Sequence, residues 1–138
     1  MKIAFASSDG SLVDQHFGLT QAFYLWDIDA QQARSVSKVD CSAGGDDPED
    51  KIVARAAALD GCTLVYSLQI GGPAAAKLAA RHIHPMKTTN PTPIAELVNR
   101  LQGALQSRPP PWLCRAMGIP PKVLMSIGID EDDSGLAQ

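Results

Sequence analysis

Cysteine is scarce in this chain: Cys41, Cys62 and Cys114 are the three in 138 residues, and no two of them form a C-x-x-C pair. Their odd number and wide spacing exclude a disulfide framework or a structural zinc site legible from spacing. Reduced thiols in the cytoplasm are the expectation. Positive charge is not in excess either. Twelve Lys and Arg against fifteen Asp and Glu leave a net charge of -3, so the basic stripe that a phosphate backbone requires is missing and no nucleic-acid partner is expected. Long apolar runs are absent. Met1 to Ala6 is broken at once by Ser7-Ser8-Asp9 and is too short for a signal peptide. No stretch approaches the ~20 apolar residues of a membrane helix, so no membrane association is expected. Also missing are Gly-x-x-x-x-Gly-Lys-Ser/Thr, Gly-x-Gly-x-x-Gly, His-Glu-x-x-His and Gly-x-Ser-x-Gly, which argues against an enzyme.

What is present reads as one α/β domain, long enough to bury roughly two-thirds of its unfolded surface. Lys2 to Ala6 predicts a strand, Ser7 to Gly18 a polar loop, Ala22 to Ile28 a second strand and Ala33 to Val39 a third, the last two forming a hairpin. Asp47 suits a helix cap with Pro48 at the first helical position. The helix that follows places Ile52, Val53, Ala56 and Leu59 on one stripe and stops at Gly61. Cys62 to Leu68 is almost wholly apolar, as a central strand covered on both faces should be. Gly71-Gly72-Pro73 opens an alanine-rich helix to Arg81. Ile83 to Lys87 makes a last strand, and Pro91-Thr92-Pro93 starts an amphipathic helix carrying Ile94, Leu97, Val98, Leu101 and Leu105. Arg108-Pro109-Pro110-Pro111 ends it. The order βββαβαβα predicts a mixed sheet of about five strands flanked by helices. Residues 1–118 form the domain. Residues 119–138 are expected to be an acidic, partly mobile extension in which Val123 to Ile129 is apolar enough to pack.

Few residues can carry chemistry. Asp14-Gln15-His16-Phe17-Gly18 sits at the carboxyl end of the first strand, where open α/β sheets place ligands. The His16 imidazole can donate a lone pair to a soft or borderline metal. Phe17 can wall the site from water and Gly18 lets backbone approach. The plainer reading is a capping or surface histidine. One histidine cannot hold a bare zinc ion, but it can supply one ligand to a preassembled cluster. The turn at Gly71-Gly72 frees amide groups at a helix N-terminus, which suits an anion, and a tight strand-to-helix turn explains it equally well. If the first and fourth strands are neighbours, this turn faces the His16 loop across one groove. Cys41 is a weaker candidate metal ligand, and Cys62 reads as inert core. His82 and His84 share a strand face and can shape its end or bind metal. Asp46, Asp47, Glu49 and Asp50 fit helix capping better than a cation site. Asp9, Asp14, Asp27 and Asp40 could supply a two-metal nuclease, but the first strand carries no interior acid. Trp112 can anchor a partner or pin the tail.

Several segments together resemble the NifX/NafY/NifY family, carriers that serve nitrogenase cofactor assembly. They are Lys2-Ile3-Ala4-Phe5-Ala6, Val13-Asp14-Gln15-His16-Phe17-Gly18, Asp60-Gly61-Cys62-Thr63-Leu64-Val65-Tyr66, Ile70-Gly71-Gly72-Pro73-Ala74-Ala75-Ala76-Lys77, Ile83-His84-Pro85-Met86-Lys87 and Pro109-Pro110-Pro111-Trp112-Leu113. The resemblance runs from Lys2 to about Gly118. It implies a ribonuclease-H-like fold without ribonuclease activity. It also implies transient binding of the iron–molybdenum cofactor or its iron–sulfur precursor, with His16 as cluster ligand. Cofactor-assembly proteins are the implied partners, and apo-dinitrogenase is one to which some members escort cofactor. Those members carry an extra N-terminal domain, which is not expected here because the core starts at Met1. The alternative is a protein-binding adaptor or chaperone for apo-dinitrogenase without cluster carriage.

Overall fold

The computed structural model describes residues 1–41, 48–106 and 111–116. The Asp47 cap with its glycine-containing loop, Arg108 to Pro110, the boundary expected at residue 118 and the 119–138 extension lie outside the described residues. The elements run β1 (Lys2–Ala6), β2 (Leu12–Val13), β3 (Ala22–Ile28), β4 (Ala33–Asp40), α1 (Pro48–Ala58), β5 (Leu64–Ser67), α2 (Gly72–Ala80), β6 (His84–Lys87), β7 (Thr92–Pro93), α3 (Ile94–Gln106) and α4 (Pro111–Ala116).

Five strands form one mixed sheet in the order β4-β3-β1-β5-β6. β1 pairs antiparallel with β3, and β3 with β4, as the hairpin pattern requires. β1 and β5 are parallel neighbours, and β6 lies parallel to β5 on its far side. This is the adjacency on which the groove expectation was conditional. β5 is buried along its whole length, which explains its unbroken apolar run. The alternation of β1 assigns its two faces. Ala4 and Ala6 face α1 and α2 with Phe17, Phe23, Leu59, Val65 and Leu78. Ile3 and Phe5 face α3 and α4 with Val13, Leu64, Tyr66, Leu97, Leu101 and Leu113. The alanines on the first side let the two helices approach the sheet closely.

Four expectations need correction. The first loop is interrupted by β2, which pairs with β7; neither two-residue strand is long enough to show a period. Thr92 and Pro93 therefore belong to β7, and α3 starts at Ile94. Pro111 begins a further short helix, as a proline at the first helical position can. On α1 the buried stripe holds Arg55 in place of Val53, which is 42% exposed. At the β6 edge, His84 and Thr88 donate their N–H groups to the Thr63 and Ser67 carbonyls. The residue between His84 and Met86 is Pro85, with no N–H to offer on the outer side, so this edge is blunted against strand addition.

Phe5 stacks on Tyr66 (centroids 5.4 Å apart) and meets Trp26 edge-on at 6.4 Å. Phe5→Ala is expected to cost about 3–5 kcal/mol. Exposed Val53→Ala should stay within about 0.5 kcal/mol. Urea unfolding followed by circular dichroism checks both.

Candidate functional site

The strand directions bring five chain segments to one end of the sheet. Ala6 lies opposite Phe23, Ala22 opposite Asp40, and Ser67 beside Lys87. The loop after β1, the start of β3, and the ends of β4, β5 and β6 therefore share this end. The loop after β1 is braced from within. Asp9 accepts from the amides of Ser11 (2.8 Å) and Leu12 (3.4 Å), and Ser7 accepts from Gly10 N–H at 2.9 Å. The Ser11 and Leu12 amides hold the Asp9 carboxyl below its usual range. That bracing is complete above the ordinary carboxylate range and is lost as pH falls through the lowered value. Gly10 has φ +83°, and a Cβ there would stand 2.9 Å from the Tyr24 ring. Asp14 accepts from the amide and hydroxyl of Ser8 at 2.9 and 2.6 Å, so it serves the loop and not a ligand.

His16 is held on both sides by the end of β5. Leu68 N–H donates to the Gln15 carbonyl (2.9 Å), and Phe17 N–H donates to the Gln69 carbonyl (3.0 Å). The His16 carbonyl accepts from Leu19 and Thr20 at 3.1 and 3.0 Å. The backbone of the loop is thus fixed while the imidazole stands exposed. Gly71 follows Gln69 by two residues, so the two loops expected to face each other across a groove are instead joined by hydrogen bonds. Two concavities adjoin the joined loops. One of about 320 Å³ is lined by Ser7, Ser8, Gln15, Gln21, Lys38 and Asp40; the other, about 570 Å³, by Ile70, Ala75, Lys87 and Thr89 among others.

The expected site residues divide into two kinds. Phe17 does not wall the site: its ring is fully buried and packs on Phe23, centroids 5.4 Å apart. It anchors the loop from below. Gly18 and Gly72 are exposed, and a Cβ at either would meet nothing within 4 Å. Neither has a left-handed φ, so nothing within the fold demands glycine there, and both leave space beside His16 and α2. No side chain caps the N-terminus of α2 at Gly71, so its partial positive charge is not neutralised locally. Cys41 lies at the same sheet end, its N–H donating to the Gln21 carbonyl at 2.7 Å. Burial pushes its thiol above the usual range, so at neutral pH it is a thiol and a poor metal ligand. Burial likewise raises Cys62 to about 11, in keeping with core. His82 lies away from this end, and His84, paired with Leu64 at the start of β5, borders only the far side of the larger concavity. Among the described residues, no three His, Cys, Asp or Glu side chains come together as a metal-ion site.

Sequence reasoning overlooked Arg55. It is buried beneath the His16 turn, with a terminal guanidinium nitrogen donating to the Thr20 carbonyl at 2.7 Å. Its Nε is buried without a partner. Its spacing, three after Ile52 and four before Leu59, was the available signal: a charge within an apolar helical stripe must be held by something. A fixed cation beside Cys41 and under Thr20 makes this end of the molecule more favourable to an anion.

Residues 1–104 match the family described as dinitrogenase iron-molybdenum cofactor. The chain is 32% identical to protein NifX of Rhodobacter capsulatus over 96% of this chain and 87% of that one. It is 37% identical to protein NifX of Azotobacter vinelandii over 85% of this chain and 75% of the relative. To protein NifY of the same organism it is also 37% identical, over 88% of this chain, and it spans 50% of that protein's length. In fold it is similar to the crystal structure of PH0822, with TM-score 0.59 and 22% identity over 75% of this chain and 91% of the other.

The different burial of neighbouring residues separates their roles. Phe17→Ala should cost about 3–5 kcal/mol by emptying the space against Phe23. His16→Ala, at an exposed position, should stay within about 0.5 kcal/mol. Chemical denaturation of the two variants measures the difference.

Proposed function

Because this chain belongs to the NifX/NifY family of dinitrogenase iron-molybdenum cofactor proteins, we propose that it binds and hands on the nitrogenase cofactor or its iron–sulfur precursor through the loop carrying His16. Family membership places its role in the biosynthesis or handling of that cofactor. The observation that carries the finer reading is an exposed imidazole on a backbone fixed from both sides. Such a group reaches a cargo surface without reorganising the protein. We read the sheet order, with an antiparallel hairpin beside a parallel pair, as the ribonuclease-H-like arrangement.

The chemistry fits a carrier. A preassembled cluster brings its own inner ligands and is large and anionic. It needs an accessible nitrogen donor, a favourable field and room, not a chelating cage. His16 supplies the donor. The uncapped N-terminus of α2 and the Arg55 guanidinium below the turn supply the field. Gly18 and Gly72 leave the room. Few protein ligands also permit release, so cargo passes to the next acceptor instead of being trapped. No turnover is required of the protein. Cofactor-assembly proteins, and apo-dinitrogenase as the final acceptor, are the partners this role calls for. No helix among the described residues is long and apolar enough to cross a membrane.

Anaerobic reconstitution with isolated cofactor and, separately, with precursor tests the reading by metal analysis of the protein fraction. Wild-type protein retains cluster, and His16→Ala retains about tenfold less or lower still. Gly18→Leu, which fills the open space without straining the backbone, also loses uptake while keeping the wild-type circular dichroism. Uptake unchanged by His16→Ala contradicts the proposal.

A further inference from the structure

A second cleft, of about 530 Å³, opens where the end of α2, strand β6 and α4 meet. Its lining includes buried Ile83 and exposed Ala79, with His82, His84, Trp112 and Arg115. Because His84 pairs with the first residue of β5, this cleft lies toward the opposite end of the sheet from His16. It shares His84 and Pro85 with the concavity beside the joined loops, but the carrier reading assigns no role to His82, Trp112 or Arg115.

Three observations mark it as built. First, His82 adopts φ +62°. It closes α2 in a turn where His82 N–H donates to the Ala79 carbonyl (3.0 Å) and Ile83 N–H to the Leu78 carbonyl (2.9 Å). That position ordinarily holds glycine, because a side chain there is strained. The turn after α1 does use glycine, Gly61 at φ +91°. Second, the His84 imidazole lies nearly parallel to the Trp112 indole, with centroids 5.6 Å apart and 24° between planes. The pair makes one aromatic wall. Third, the described lining contains no carboxylate, and Arg115 is its one permanent cation. Burial first, and Arg115 second, lower the His84 pKa, so the imidazole is neutral at pH 7 and can exchange a hydrogen bond without adding charge.

We propose that this cleft binds a small organic carboxylate with a flat apolar body, its carboxylate on the Arg115 guanidinium and its body against Trp112 and His84. One guanidinium balances one negative charge and matches the planar carboxylate. A phosphate dianion would remain half uncompensated. The volume falls within the range of small-molecule sites, roughly 300–1,000 Å³, and the lining supplies apolar contact.

The test uses the full chain, titrated with sodium benzoate and indole-3-carboxylate, with benzamide and inorganic phosphate as controls. Calorimetry gives affinity, and histidine and indole NMR resonances give location. The two carboxylates should bind saturably at millimolar affinity or tighter and shift the His84 and Trp112 signals, and the controls should not. Arg115→Gln should weaken binding about tenfold or more. His82→Gly should raise Tm, because it relieves the left-handed side chain, while the carboxylate affinity stays within about twofold. Absence of saturable carboxylate binding overturns the proposal. So does equal binding of phosphate, or binding that Arg115→Gln leaves unchanged. An acidic peptide that shifts Trp112 when the free acids do not would make the cleft a protein contact and equally overturn it.

Discussion

Two hydrogen bonds between neighbouring loops organise the candidate site. Leu68 N–H to the Gln15 carbonyl and Phe17 N–H to the Gln69 carbonyl fix the backbone on either side of His16, and they exist because β1 and β5 are adjacent and parallel. Parallel pairing sends both strands out of the sheet at the same end, so the segments that follow must meet there. The Phe17 ring then locks the loop from below and leaves the imidazole above it nowhere to go but outward. The exposure of this histidine therefore follows from buried structure around it.

The same end collects positive character from separate sources: a helix N-terminus without a side-chain cap and a buried guanidinium. Neither is a metal ligand; in the proposed carriage their effect would be on the charge and orientation of the cargo. In the carriage proposed above, this positive character would favour a large anion without enclosing it, although Asp40 lies at the same end. The physical compromise suits transfer, because each added protein ligand would slow release as much as it strengthened capture.

Much of the fold was legible because long elements advertise their period. The apolar run of β5 and the stripe of Ile94, Leu97, Val98 and Leu101 on α3 follow directly from burial on two faces or one, whereas β4 has no buried face and was legible from its pairing with β3 across a short turn. What escaped reading was short or set by tertiary contact. β2 and β7 have two residues each and exist only through each other. Arg55 displaced Val53 from the buried face of α1 because the Thr20 carbonyl, 35 residues earlier, was waiting for a donor. At the site, His16 and the Gly71 turn were visible as a loop histidine and a glycine pair at strand ends. Their direct contact was not, because it depends on how far the loop folds back over β5. Phe17 was misassigned for a related reason: an aromatic beside a candidate ligand has the same sequence whether it faces cargo or core.

The proposed carriage requires that the His16 nitrogen touch the cluster itself. Pulsed electron paramagnetic resonance of protein loaded with a paramagnetic cluster and containing ¹⁵N-labelled histidine reads that contact directly. A nitrogen coupling is expected in the wild-type protein that vanishes in His16→Gln and persists in His84→Gln. A coupling that survives the loss of His16, or its absence from the loaded wild-type protein, would contradict that requirement.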